Sequence, residues 1–286
     1  MKTFSIIGAG KVGLSLASAL ARRSFVLKKI SDRSLQRARR AKKLIGQGQA
    51  TTNNLLAASS AEIVFICVPD REISRIAEEI SSIECRGKIV FQTSGAFSSK
   101  LLEPLAQKGA AVASFHPVQT FASEASDPTI FKGIFFGLEG DQKAVKLGIE
   151  IVRKLGGQAI LISAEDKPVY HLACSISSNF LIVLLAEVKE LLKAIGLEEK
   201  PVLEILAPLL NKTLQNVKKL GIDESLTGPV VRGDLETVKK HLAITATNQA
   251  LDRIYRAMAS EALKIAKKRG LSEDKIKSLK QLLEHK

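Results

Sequence analysis

The chain has 286 residues and a mass of 30.9 kDa, too long for one compact helical bundle and about right for two modest domains. Hydrophobic residues make up 45% and charged residues 25%, which is ordinary globular usage and excludes disorder as the organising principle. The net charge is +14, yet 11 Phe, 2 Tyr and no Trp give too few rings for a surface that stacks single-stranded bases.

The charge excess is local. Residues 22–43 carry ten bases (Arg22, Arg23, Lys28, Lys29, Arg33, Arg37, Arg39, Arg40, Lys42 and Lys43) against Asp32 alone, and residues 262–286 carry eight against three acids. The remainder is neutral, so each cluster needs its own account. Cys67, Cys85 and Cys174, odd in number and far apart, fit neither a disulfide framework nor a zinc site, and a reducing cytoplasm is the expectation. No secretory leader is expected, because Lys11 and three glycines interrupt the N-terminal apolar stretch. The longest apolar run, around residues 180–186, falls far short of the roughly 20 residues of a bilayer span.

Along the first half, short β-rich runs at 3–7, 25–31, 63–68, 89–93, 110–115, 133–138 and 158–162 alternate with helical periodicity at 14–22, 33–45 and 143–155. Several runs are almost continuously apolar, as parallel strands covered on both faces must be. The alternation predicts an α/β domain with a doubly wound parallel sheet over residues 1–163. From 164 to 286 no strand pattern remains. Helical stretches at 167–195, 201–219, 235–243, 248–269 and 272–285, broken at Gly196, Gly221, Gly228-Pro229, Gly233 and Gly270, predict a separate all-helical domain.

Gly8-Ala9-Gly10-Lys11-Val12-Gly13 follows the first strand and opens a helix. Glycines at that spacing permit a tight turn, close approach of backbone to a pyrophosphate and close helix–strand packing, with the helix N-terminus facing the anion. The second strand ends in Asp32-Arg33-Ser34, where two cues conflict. Asp32 would bind a ribose 2′-hydroxyl and favour NAD; Arg33 with Ser34 would bind a 2′-phosphate and favour NADP. The basic cluster around them tips the balance to NADP.

Three further strand ends supply candidates. Val68-Pro69-Asp70 would lie along the nicotinamide side of the dinucleotide, with Asp70 also suited to cap the next helix. Thr93-Ser94-Gly95-Ala96 brings hydroxyls and a flexible backbone, so Ser94 and Gly95 are candidate substrate contacts. His116-Pro117 offers a loop-borne proton donor, with Gln119 and Thr120 weaker candidates. In the helical half Lys167, His171, Ser175 and Asn179 recur every four residues. Each step advances about 400°, so they form one polar stripe on an apolar helix. Such a stripe either bridges to neighbouring helices or lines a ligand crevice. In Leu226-Thr227-Gly228-Pro229-Val230-Val231-Arg232-Gly233-Asp234, Asp234 caps a helix. Arg232 between glycines is a candidate clamp for a substrate carboxylate, with Thr227 beside it.

These segments give the chain a resemblance. The glycine turn with Arg33-Ser34, Val68-Pro69-Asp70, the pair 93–96 and 114–121, and Tyr170-His171 through Asn179 with 226–234 resemble a bacterial family. That family joins an NADP-binding Rossmann-like domain to a helical domain of unknown function. More remotely, the layout is similar to ketopantoate reductase, pyrroline-5-carboxylate reductase and the 6-phosphogluconate dehydrogenase type, whose helical second domain often dimerises. The resemblance implies an NADP-dependent oxidoreductase, a homodimer through the helical domain, and a small carbonyl or imine substrate such as a 2-oxoacid. Hydroxyacid dehydrogenases place a Lys and an Asn one turn apart near the stripe. Here either Lys167–His171 or His171–Ser175 occupies that register, so the proton donor stays open among His171, His116 and Lys167. Two rival readings are a non-catalytic NADP sensor and a nucleic-acid binder acting through residues 22–43; no metal is expected.

Overall fold

The computed structural model describes residues 1–122, 127, 129–197 and 202–284. The expected helix start at 201 and helix end at 285 therefore lie outside the described residues. The chain divides into two compact units, Met1–Phe180 and Leu181–Lys286.

The first unit is an eight-stranded sheet flanked by helices. In chain order it runs β1 (Thr3–Ile7), α1 (Lys11–Ala21), β2 (Val26–Ser31), α2 (Leu35–Ile45), β3 (Gln49–Thr51), α3 (Asn54–Ser59), β4 (Ile63–Ile66), α4 (Asp70–Ile80) and β5 (Ile89–Gln92). A 3₁₀ turn at Ser99–Leu102 leads into α5 (Glu103–Ala106), followed by β6 (Ala111–Pro117), β7 (Phe135–Gly140), α6 (Gln142–Leu155), β8 (Gln158–Leu161) and α7 (Lys167–Ser175). The strand order is β3-β2-β1-β4-β5-β6-β7-β8. Chain direction across the sheet reverses between β1 and β4, which makes the crevice beyond their C-terminal ends the topological switch point.

The expected sheet is parallel throughout; the observed one has a single antiparallel pair, β6 with β7, while β8 is parallel to β7. The pattern of apolar runs could not show this, because either direction buries the same faces. Strand β3 escaped the sequence because three residues, Gln-Ala-Thr, carry no apolar run. His116 and Pro117 belong to β6 itself, with His116 opposite Gly137 in the register, so the imidazole is strand-borne and not loop-borne.

Both faces are covered. On one, Phe65 stacks on Phe91 at 5.0 Å, and Phe115 meets Phe91 at 5.4 Å and Phe136 at 4.9 Å. Such pairs contribute about 0.5–1.5 kcal/mol each beyond area burial. On the other, Val64, Ile66, Val90 and Val112 pack with Ile73, Ile76, Ala77 and Ile80 from α4.

A single π turn, Ile176–Phe180, joins α7 to α8 (Leu181–Ala194) in the second unit. There follow α9 (Val202–Leu220), α10 (Ile222–Ser225), α11 (Pro229–Arg232), α12 (Leu235–Thr245), α13 (Gln249–Lys268) and α14 (Glu273–Glu284), with no strand among the described residues. Val238, Leu242, Ala259, Leu263, Leu279 and Leu283 form this unit's own core. By compactness the chain divides after Phe180. The start of α7 is fastened to the first unit: Lys167, 1% exposed, donates to the Ser94 carbonyl at 3.1 Å and the Ser114 hydroxyl at 2.6 Å.

The continuous helix Lys167–Ala194 corrects the membrane expectation. Its 28 residues reach a mean hydropathy of 1.7 over an 18-residue window, enough by length and composition to cross a bilayer, and none of that window is buried. Counting unbroken apolar residues missed it, because isolated polar residues at helical spacing interrupt the run without lowering the mean.

Candidate active site

The glycine turn sits at the switch point, and its glycines answer different constraints. Gly8 has φ +103°, and a Cβ there would lie 2.3 Å from the Cys67 carbonyl oxygen; one on Gly13 would lie 2.0 Å from that of Gly8. A Cβ on Gly10 would meet nothing within 4 Å. Gly8 and Gly13 thus serve the fold, while Gly10 leaves open space in front of α1. That helix begins at Lys11, three residues before the expected Leu14, and has no side-chain cap at Gly10, so its first N–H groups face outward beside Ala9 and Val12. Lys11 reaches over to donate to the Ala122 carbonyl at 2.7 Å.

Asp32 is 8% exposed, and its carboxylate is engaged by the protein. It accepts from the Ala9 N–H at 3.0 Å and the Ser34 N–H at 2.9 Å, with Arg37 3.7 Å away. This ties the glycine turn to the end of β2. A cleft of about 320 Å³ next to it is lined by Gly10, Ser34, Gln36, Arg37 and Arg40 among others. Arg33, singled out in the sequence, does not line it. The arginines that line it, Arg37 and Arg40, stand one and two turns further along, where only the helix phase reveals which of six nearby bases face the turn. Val68 and Pro69 follow β4 beside Gly8; Pro69, not Asp70, is the N-cap of α4, and Asp70 lies in its first turn.

A second cleft, about 640 Å³, lies at the ends of β6 and α7 and is lined by His116, Gln119, Thr120, Tyr170, His171, Ser175 and Asn179 with their neighbours. Three of the four stripe residues therefore share one cavity. Asn179 falls within the π turn, a distortion that recurs at functional sites. Lys167 lies outside the lining. Its ammonium sits below, on Ser94 and Ser114, and burial brings its pKa from 10.5 down to about 8, opposed by Glu139 and Asp70. Ser94 is occupied as well: its hydroxyl accepts from the Ala96 and Phe97 N–H groups at 3.2 and 3.1 Å, shaping the loop after β5.

Gly95 on that loop explains how the histidines come together. A Cβ there would lie 2.6 Å from His171 Cδ2 and 2.7 Å from His116 Nε2. The two rings have centroids 6.1 Å apart. His116 Nδ1 is 2.8 Å from the Tyr170 hydroxyl, a partner 54 positions away. Burial above all, then Lys167 and His171, lower the His116 pKa from 6.5 to about 4, so the ring is neutral at neutral pH.

Tyr170 escaped the sequence reading as a site residue, standing beside the more conspicuous His171. Thr227 and Arg232 belong to the second unit. Thr227 is exposed, and the Arg232 guanidinium, 65% exposed, lies 4.0 Å from Asp234, which caps α12 as expected. No group of three or more metal-ligating side chains occurs among the described residues.

Comparison with known proteins agrees with this layout. Residues 2–117 match a family described as a Rossmann-like domain, and residues 134–262 match a domain of unknown function, DUF2520. The chain thus carries the two-domain pairing that its motifs resemble. No curated protein matches it. Among solved structures, a Bacteroides fragilis protein provisionally named an NADP oxidoreductase shares 24% identity, with a TM-score of 0.75 over 91% of this chain and 97% of its own. A Thermotoga maritima protein shares 28%, with a TM-score of 0.73 over 93% and 99%. A pyrroline-5-carboxylate reductase from Coxiella burnetii shares 18%, with a TM-score of 0.59 over 92% and 98%.

Proposed function

We propose that the protein is an NADP-dependent reductase of a small carbonyl or imine that carries a carboxylate, a 2-oxoacid of the ketopantoate kind being the specific candidate. The observation that carries this is a dinucleotide cradle at the switch point of the same sheet whose edge supports a cleft holding two imidazoles. The similar folds of a protein named for NADP and of a reductase named for a cyclic imine carboxylate support it.

The cradle fits the cofactor. Open space before Gly10 and the uncapped start of α1 suit a pyrophosphate, and Ser34, Arg37 and Arg40 line the adjoining pocket where a 2′-phosphate would need cations. Asp32, held by two backbone N–H groups, has part of its acceptor capacity taken up by the protein, which favours NADP. When bound, the nicotinamide supplies the hydride.

The chain's own residues supply the rest. His171 faces the cleft and delivers the proton to the substrate oxygen or nitrogen. Ser175 and Asn179 orient the carbonyl, and His116 donates a hydrogen bond to it. Lys167 holds α7 in place by its two hydrogen bonds.

The protein works as a cytoplasmic homodimer in this reading. Leu172, Ile176, Phe180, Ile182 and Val183 are each more than half exposed on one continuous helix, as are Leu209 and Leu214 of α9. Lys167 anchors the first turn of that helix in protein, which suits an interface better than a bilayer span.

A panel of 2-oxoacids, keto esters and cyclic imines, followed by NADPH absorbance, tests the activity. Turnover with at least one supports it. Tight NADPH binding without turnover on any of them converts the protein into a sensor.

A further inference from the structure

We propose that Tyr170 is a positioning residue: its hydroxyl donates to Nδ1 of His116 and thereby fixes the proton of that ring on Nε2, the nitrogen open to the cleft. What the N–H acts on rests on the reductase reading; the arrangement itself does not.

The geometry is specific. Nδ1 is 2.8 Å from the Tyr170 hydroxyl, and the rings meet edge-on at 90° with centroids 5.5 Å apart. Nε2 has no hydrogen-bond partner among the described residues, yet no buried side-chain nitrogen or oxygen there lacks one. Nε2 is therefore reached from the cleft that His116 lines. Whichever tautomer Nδ1 adopts, Nε2 presents the complement: a donor if the phenol donates to Nδ1, a lone pair if it accepts.

Two features favour the phenol as donor. Burial raises the Tyr170 pKa well above 10, so the hydroxyl keeps its proton. The Gly137 amide lies at the same hydroxyl, and an N–H can only donate, so the phenolic oxygen accepts there while the phenolic proton goes to His116. The groups facing His116 are Lys167, Tyr170 and His171 from α7, the Ser94–Gly95 loop after β5, and Gly137 from β7; Glu139 and Asp70 act through Lys167. With an ammonium and a second imidazole beside it, a neutral ring is favoured over an imidazolium. A neutral imidazole is a poor acid but a good hydrogen-bond donor to oxygen or nitrogen that gains negative charge. His116 then polarises the substrate, and His171 transfers the proton.

Two missing side chains make room for the pair. A Cβ on Gly137 would lie 2.8 Å from the Tyr170 hydroxyl oxygen and 2.9 Å from Cζ, and one on Gly95 would strike His116 Nε2. Gly137 stands directly opposite His116 in the antiparallel register, so its bare Cα gives the phenol its place beside the imidazole.

The test is long-range ¹H–¹⁵N NMR on the ¹⁵N-histidine-labelled protein, which has only four histidines to assign. His116 is expected with an unprotonated Nδ1 and a protonated Nε2 from pH 6 to 8, in the wild type and with no substrate present. Tyr170→Phe should yield a mixture of tautomers. A predominant Nδ1–H tautomer or an imidazolium in the wild type overturns the proposal, even if the variant does not fold. An unchanged single tautomer in a folded Tyr170→Phe protein also overturns it, whatever the enzyme turns over. Where a substrate is found, Tyr170→Phe should lower kcat by about 10- to 100-fold at unchanged NADPH affinity. A failed substrate panel with the expected NMR result would count against the reductase reading alone.

Discussion

Replacing Gly95 by alanine adds one methyl group at the point where the site is tightest. The new Cβ would lie 2.6 Å from His171 Cδ2, 2.7 Å from His116 Nε2 and 2.9 Å from its Cε1. Comfortable separation for such atoms is about 3.5–4.0 Å, so the rings together must give way by roughly 1 Å. His116 is a strand residue held through Nδ1 by Tyr170, whereas His171 borders open cleft, so His171 moves more. Overpacking of this kind costs about 1–3 kcal/mol in a rigid site, and less here because one ring can rotate outward. Misplacing a reacting group by about 1 Å costs on the order of 10²-fold in rate. Gly95→Ala should therefore lose about 100-fold in kcat, drop only a few degrees in Tm, and bind NADPH within about twofold of wild type, because Gly10, Ser34 and Arg37 are untouched. Parallel calorimetric titration, thermal melting and NADPH oxidation would show it. A soluble variant with wild-type turnover would refute the claim that these two imidazoles form the reacting centre.

Lys167 is charged at a cost. Its pKa is about 8 in the fold against 10.5 ordinarily, so the unfolded chain binds more protons between those values and stability rises with pH across that window, by about 3 kcal/mol in all; Lys167→Met should abolish that rise in urea midpoints at pH 8 and 10.5, and an unaltered rise would contradict the assignment. Arg37→Ala should weaken NADPH by about 1.5–3 kcal/mol and spare NADH, with Arg33→Ala the milder of the two because Arg33 does not line the pocket; calorimetry showing equal losses for both cofactors would make Arg37 structural. His171→Ala should cost about 10²–10⁴ in turnover at near-normal Tm and cofactor affinity, and a fully active variant would move the donor elsewhere. Light scattering at micromolar concentration should give about twice 30.9 kDa, and a clean monomer would remove the dimer.

The parts of the fold that were legible in the sequence are those set by local rules. Apolar runs marked seven of the eight strands, because strands covered on both faces must be apolar. The glycine turn was legible because its constraints lie within six residues. What stayed hidden depends on residues brought together over long distances. The direction of β7 leaves no trace in its composition. The hydrogen bonds that Asp32 accepts from the Ala9 and Ser34 N–H groups have no signal in the sequence. Arg37 and Arg40 are indistinguishable by charge from Arg39 or Lys42 until the helix phase is known. The polar stripe was found by counting in fours, but counting could not show that Lys167 ends under the cleft and His171 in it.

That last distinction follows from how α7 is held. A lysine with its ammonium on a backbone carbonyl and a hydroxyl, 1% exposed, is a fixed point from which the next turns are measured. One turn later lies His171, two turns later Ser175, and the π turn keeps Asn179 on the lining of the cleft. Pro168 and the helix start at Lys167 place that anchor at the very beginning of the element, where no earlier turn competes for the same space. Lys167 therefore determines which face of α7 meets β6, and with it the spacing between His171 and His116. Shortening it to an apolar side chain would disturb both histidines without touching either, and that loss would differ from a removed proton donor in its kinetics. The fall in kcat would track the spread of His171 rotamers and leave the alkaline limb of the pH profile, where a proton donor is lost, in place, whereas removal of the donor itself would abolish that limb.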